Sequence, residues 1–77
     1  MRVTLYTRVG CGLCEKADAI LKRLREKGRF EIEYVDLDSD ADADKRYWAR
    51  IPVIAVDGEE VASAPLDEKQ LAAILLR

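Results

Sequence analysis

The chain reads as an α/β domain: a mixed four-stranded sheet flanked by three helices, in the order βαβαββα. Three observations predict it. Runs rich in β-branched and aromatic residues at 2–7, 30–37 and 51–56 are bounded by turn residues, as strands are. Between the first two, Leu13, Ala17, Ile20, Leu21 and Leu24 repeat at the spacing of one helix face. After the third, Asp57-Gly58 is a strong two-residue hairpin signal.

The elements follow in order. Val3, Thr4, Leu5 and Tyr6 make the first strand. The helix from Leu13 carries Glu15 and Asp18 early and Lys22, Arg23, Arg25 and Lys27 late, which complements its dipole. Gly28 is its expected stop. In the second strand Phe30, Ile32 and Tyr34 alternate with Glu31, Glu33 and Val35, and the pattern blurs near Asp36. Ser39 or Asp40 caps a weaker helix running to about Ala49, with Ala41, Ala43, Tyr47 and Trp48 as its apolar content. The third strand has Pro52 at its entry, where strands tolerate proline. Glu59 to Ala62 returns as the fourth. Pro65 breaks the chain, and Asp67 with Gln70 fits a capping-box spacing before a last helix of Leu71, Ile74 and Leu75. A helix joins the first two strands, so they are expected to be parallel; the last two form an antiparallel hairpin.

Bulk properties narrow the function. Residues 1–77 are expected to form one domain, and the apolar fraction of 49% is globular. A net charge of -2 argues against a general nucleic-acid binder, which needs a basic face. Met1-Arg2-Val3-Thr4 lacks a signal-peptide pattern, and no apolar run approaches the ~20 residues of a membrane span. A monomer in the reducing cytoplasm, with neither nucleic acid nor membrane as partner, is the expectation. There are no histidines, which excludes a Cys-His nucleophile pair and imidazole-bound zinc.

Cys11-Gly12-Leu13-Cys14 contains the only two cysteines, at a strand-to-helix junction. The spacing lets the sulfurs bond across one helical turn, and the helix start favours a thiolate. Thiol–disulfide exchange is the reading this placement supports. Glu15 raises the Cys14 thiol pKa if it points inward, or complements the dipole from the solvent side. The alternative is a dimeric carrier module. One Cys-x-x-Cys is half of a four-cysteine zinc site, and two protomers, or added glutathione, would complete a zinc or iron–sulfur site. Asp36, Asp38, Asp40, Asp42 and Asp44 imitate a calcium loop, but Ala41 stands where its glycine belongs and Tyr47 where its bidentate Glu belongs. They read instead as a strand end and an acidic helix start. Arg8, Arg46 and Arg50 are candidates for a basic rim around Cys11, or ordinary surface arginines. Tyr47 and Trp48 are assigned to core packing under the second helix in preference to a partner surface.

Leu5-Tyr6-Thr7-Arg8-Val9-Gly10-Cys11-Gly12-Leu13-Cys14 resembles the glutaredoxin-like proteins of the thioredoxin fold. So, in order, do Tyr34-Val35-Asp36-Leu37-Asp38, Ile51-Pro52-Val53, Val56-Asp57-Gly58 and Leu66-Asp67-Glu68. The resemblance implies a thioredoxin-like fold and a thiol–disulfide oxidoreductase. Cys11 would be the nucleophile and Cys14 the resolving thiol. Pro52 would be the family's cis-proline opposite the nucleophile, and Ile51 would offer its backbone to a bound thiol. Arg8 stands where glutaredoxins carry a lysine that helps hold glutathione. Gly12 and Leu13, between the cysteines, replace the usual Pro and Tyr and complete the expected substrate-binding set. Ala62-Ser63-Ala64-Pro65 replaces the Gly-Gly and acidic pair that bind glutathione. No bound cofactor and no metal are implied. Disulfide-containing proteins or glutathione are the expected partners, with a reductase or a low-molecular-weight thiol as electron donor.

Overall fold

The computed structural model describes residues 1–76. Its elements are β1 (Arg2–Thr7), α1 (Gly12–Lys27), β2 (Glu31–Asp36), a 3₁₀ turn (Leu37–Ser39), α2 (Ala41–Tyr47), β3 (Val53–Val56), β4 (Glu59–Ser63) and α3 (Glu68–Leu75). The sheet order is β2-β1-β3-β4. β1 and β2 run parallel, with Leu5 opposite Tyr34. β3 is antiparallel to both β1 and β4, and β4 bulges against Ile54/Ala55. The element order, the parallel β1/β2 pair and the antiparallel β3/β4 hairpin are those the sequence predicts; the strand order and the β1/β3 pair are added by the structure.

Side chains of β1 alternate between two cores, as a strand's period of two requires. Val3 and Leu5 join Ala17, Leu21 and Leu24 of α1, with Leu71 and Leu75 of α3. On the other face Tyr6 packs against Leu37, Ala43, Tyr47 and Val53, together with Val35 and Ile51. The Tyr6 and Tyr47 rings lie 4.5 Å apart. This second cluster sits at the sheet end where β1 finishes and β3 begins, which is also the end that carries the cysteines.

Several boundaries differ from expectation, each for a local reason. The second strand loses Phe30 and Leu37 at its ends. Both are buried, but Leu37 turns into the 3₁₀ segment, where the Asp36 carboxylate accepts from the Asp38 N–H at 2.9 Å. Asp40, not Ser39, caps α2, accepting from the Ala43 N–H at 3.0 Å. That helix stops at Tyr47. Of its two terminal aromatics only Tyr47 is in the core. Trp48 is 64% exposed, because the next helical position points about 100° away.

The α1 terminus departs from the left-handed glycine stop. Gly28 has an extended φ of -115°. Its constraint is space: a Cβ there would lie 2.6 Å from Leu76 Cδ2. Asp57 and Gly58, by contrast, have φ of 50° and 88°, the two positive values that a type I′ hairpin needs. Asp57 also ties the hairpin to β1, accepting from the Arg2 N–H at 3.0 Å. Asp67 caps α3 by accepting from the Lys69 N–H at 2.8 Å.

Candidate active site

Cys11 is the N-cap of α1, with extended backbone. Its N–H donates to the Arg8 carbonyl at 3.2 Å, and its carbonyl accepts from Glu15 N–H at 3.1 Å. The Cys14 N–H points at Cys11 Sγ from 3.1 Å. A serine or aspartate cap would accept this hydrogen bond through oxygen; here sulfur does. The two sulfurs form a disulfide with the Cα atoms 5.2 Å apart. Cys11 is half-buried, whereas Cys14 is 2% exposed. A substrate can therefore reach one sulfur and not the other. The same N–H and the positive end of the helix dipole favour negative charge on Cys11 once the pair is reduced.

The pair opens on a cavity of about 210 Å³ at the carboxyl ends of β1 and β2. Asp18 and Tyr34 line it beside the cysteines. Tyr34 O–H donates to Asp18 Oδ1 at 2.6 Å, and Lys22 Nζ lies 3.1 Å from Oδ2. Partial burial pushes the Asp18 carboxyl up, but Tyr34, Lys22 and Arg25 outweigh it and hold it below the ordinary carboxylate range. Burial and the bond to Asp18 raise the Tyr34 hydroxyl above its ordinary value. Neither residue stands out in the sequence as part of the site. The one signal in the sequence is the four-residue step from Cys14 to Asp18; Tyr34 is brought there by its pairing with Leu5 in the sheet.

Of the two readings of Arg8, Arg46 and Arg50, the basic rim is not assembled, since each is engaged away from Cys11. Arg8 donates through Nε to Asp38 Oδ1 at 2.9 Å and through Nη2 to Asp44 Oδ1 at 2.5 Å. Those bonds, Asp44 foremost, raise its pKa and tie the cysteine loop to α2. Arg50 is held by Glu60 at 2.5 and 3.1 Å. Arg46 and Arg50 both lie over the Tyr47 ring, at 5.3 and 5.4 Å from its centroid. The alternating aspartates thus include two caps, Asp36 and Asp40, and two partners of Arg8, Asp38 and Asp44.

Gly12 and Leu13 are exposed beside Cys11, Leu13 by 58%. The Ile51–Pro52 bond is cis, as is Ala64–Pro65. Tyr6 pairs with Val53, so one further step of that register sets Pro52 across from Thr7, at the end from which the cysteine loop leaves. Pro52 is buried and Ile51 packs on the Tyr47 cluster. Among the described residues no group of three or more Cys, Asp or Glu converges to hold a metal ion. No helix among them is long and apolar enough to cross a membrane.

This sheet order, with a Cys-x-x-Cys pair capping the first helix, is a thioredoxin-like α/β fold. A point mutant of thioredoxin from Halobacterium salinarum superposes with a TM-score of 0.70, over 96% of this chain and 70% of that one, at 23% identity. Within that fold the chain belongs to the family described as Glutaredoxin-like domain (DUF836), whose model matches residues 2–76. Protein Ne2328 from Nitrosomonas europaea is similar at 34% identity and a TM-score of 0.80, over 96% of this chain and 89% of that one. XcR50 from X. campestris is similar at 36% identity and a TM-score of 0.76, over 94% and 92%. Uncharacterized protein Rv0508 of Mycobacterium tuberculosis is 30% identical over 81 residues, covering 99% of this chain and 84% of that protein. Family, fold and a cysteine pair at disulfide distance together support a redox role.

Proposed function

We propose that the protein is a thiol–disulfide oxidoreductase of the cytoplasm that reduces protein disulfides or glutathione mixed disulfides. The observation that carries this reading is the asymmetry of the pair. A half-buried Cys11 receives an N–H at the helix start, while Cys14 is buried one turn behind it. In the reaction the Cys11 thiolate attacks one sulfur of the substrate disulfide. A Cys11–substrate bond forms, the substrate S–S bond breaks, and the first substrate sulfur leaves and takes up a proton. Cys14 then loses its proton and attacks Cys11 Sγ, closing the internal disulfide and releasing the second substrate sulfur. Two electrons pass from the cysteine pair to the substrate, and an external dithiol or two monothiols return them. Glutathione, another low-molecular-weight thiol or a reductase would serve as donor.

In this proposal Arg8 contributes through the loop it anchors, since its guanidinium is shared between Asp38 and Asp44. Leu13 and Gly12 offer an apolar lip, and Ile51 and Pro52 supply backbone on the facing side. The test is a single turnover that needs no donor. Pre-reduced protein is mixed with an insulin disulfide or a glutathionylated peptide, and released thiol is counted. One equivalent of disulfide reduced, and loss of the reaction in Cys11→Ser, supports the proposal. No thiol release, with stoichiometric metal or iron–sulfur cluster after anaerobic purification, would overturn it in favour of a carrier.

A further inference from the structure

We infer that Asp18 is a positioning residue for the exchange reaction: its carboxylate, held in the cysteine cavity by Tyr34 and Lys22, keeps the proton on Cys14 and so leaves Cys11 as the attacking sulfur. The inference deepens the proposed function and rests on it for its meaning. The helix cap and the burial of Cys14 already favour the thiolate on Cys11, and a charge beside Cys14 adds to that difference. Cys14 and Asp18 are four residues apart on α1, so their Cβ atoms are neighbours at about 5–6 Å. Both line the same cavity. Tyr34 reaches this carboxylate from β2 at 2.6 Å and fixes where the charge sits. A fixed negative charge beside a buried thiol disfavours the thiolate.

The other charged groups around Cys14 do not replace it. Lys22 pairs with Asp18 through Oδ2, and Arg25 acts on the same carboxylate, so both offset part of its charge from the solvent side without reaching the cavity wall. Arg8, entering from the end of β1, is shared between Asp38 and Asp44. Glu15, the other carboxylate on the cavity wall, is exposed. No residue of α3 lines this cavity. When the Cys11 thiolate has been consumed in the mixed disulfide, the Cys14 proton passes to the departing substrate sulfur as Cys14 closes the internal bond.

The test isolates Cys14 in a Cys11→Ser background and follows its ¹³Cβ chemical shift against pH. Adding Asp18→Asn is expected to lower the Cys14 midpoint by about one pH unit, while Asp18→Glu retains the high value. Tyr34→Phe is expected to move it the same way by less. An unchanged midpoint in Asp18→Asn overturns the inference. Should that variant not fold, Tyr34→Phe decides: a lowered midpoint supports the assignment and an unchanged one overturns it. The readout needs no turnover. A lowered midpoint in a protein without exchange activity therefore leaves the hold of Asp18 on the Cys14 proton standing while the functional proposal fails.

Discussion

Replacing Cys14 by serine removes the internal second displacement and leaves the attacking sulfur in place. The two Cα atoms are 5.2 Å apart, so in the proposed reaction release of the mixed disulfide is intramolecular. Well-oriented intramolecular reactions reach effective molarities of about 10⁵ M. Taking only ~1 M for a flexible thiol one turn away, against ~1 mM external thiol, release slows about 10³-fold, or ~4 kcal/mol of barrier. Cys14 is 2% exposed, and serine fills nearly the same volume, so the fold is retained and a thermal melt checks it. The assay is acid-quenched single turnover with a disulfide-bonded protein, read by mass spectrometry. The variant is expected to accumulate a mixed disulfide on Cys11, while excess glutathione still clears a glutathione adduct. Protein-disulfide reduction at the native rate, with no trapped adduct, would refute the two-step reasoning.

Three further outcomes are expected. Burial alone would raise the folded-state pKa of Asp18, but Tyr34 and Lys22 overcome it and hold the carboxyl below its ordinary value. Its stabilisation is therefore complete above the unfolded value of about 3.9 and is lost as pH falls through the folded one. Asp18→Asn should flatten the acid limb of a urea-midpoint profile below about pH 4. Leu21→Ala empties a fully buried position between sheet and helices, at a cost of about 2–5 kcal/mol. Against roughly 4–12 kcal/mol for a domain of this size, that should lower the urea midpoint severely. Gly58→Ala places a side chain at φ 88° and should cost about 1–2 kcal/mol in the same titration, with disulfide exchange unchanged.

Much of this fold is legible because local signals and packing agree. The helical face from Ala17 to Leu24 is the buried face of α1, and Asp57-Gly58 adopts the turn its residue types favour. The Cys-x-x-Cys stands out for a similar reason: both residues belong to one helix start, so spacing alone fixes their geometry. What sequence spacing could not carry was partnership across elements. Arg8 lies three residues before Cys11, yet its guanidinium turns to Asp38 and Asp44, 30 and 36 residues away. The acidic run is the strand end and helix start that the sequence reads, and it also supplies both partners of Arg8 once the 3₁₀ turn and α2 are in place. Trp48 follows Tyr47 in sequence but leaves the core, since one residue is a large rotation on a helix and this helix is covered on one side only.

Asp18 shows how far such cross-element contacts reach into the chemistry. In the sequence it is one more early acid on α1, and Glu15, next to Cys14, is the acid that reads as a neighbour of the thiol. Only the parallel pairing of Leu5 with Tyr34 brings a phenol from β2 over the helix start, and that contact fixes the carboxylate in the cysteine cavity. Glu15, adjacent to Cys14 in sequence, is exposed at the cavity's edge, where solvent screens its charge. Distance along the chain and influence on the thiol are thus reversed between the two acids. The helix dipole acts on Cys11 because it caps the helix; the carboxylate acts on Cys14 because the sheet presses a tyrosine against it. Two fields of opposite sign, set by different elements, separate two chemically identical side chains one turn apart.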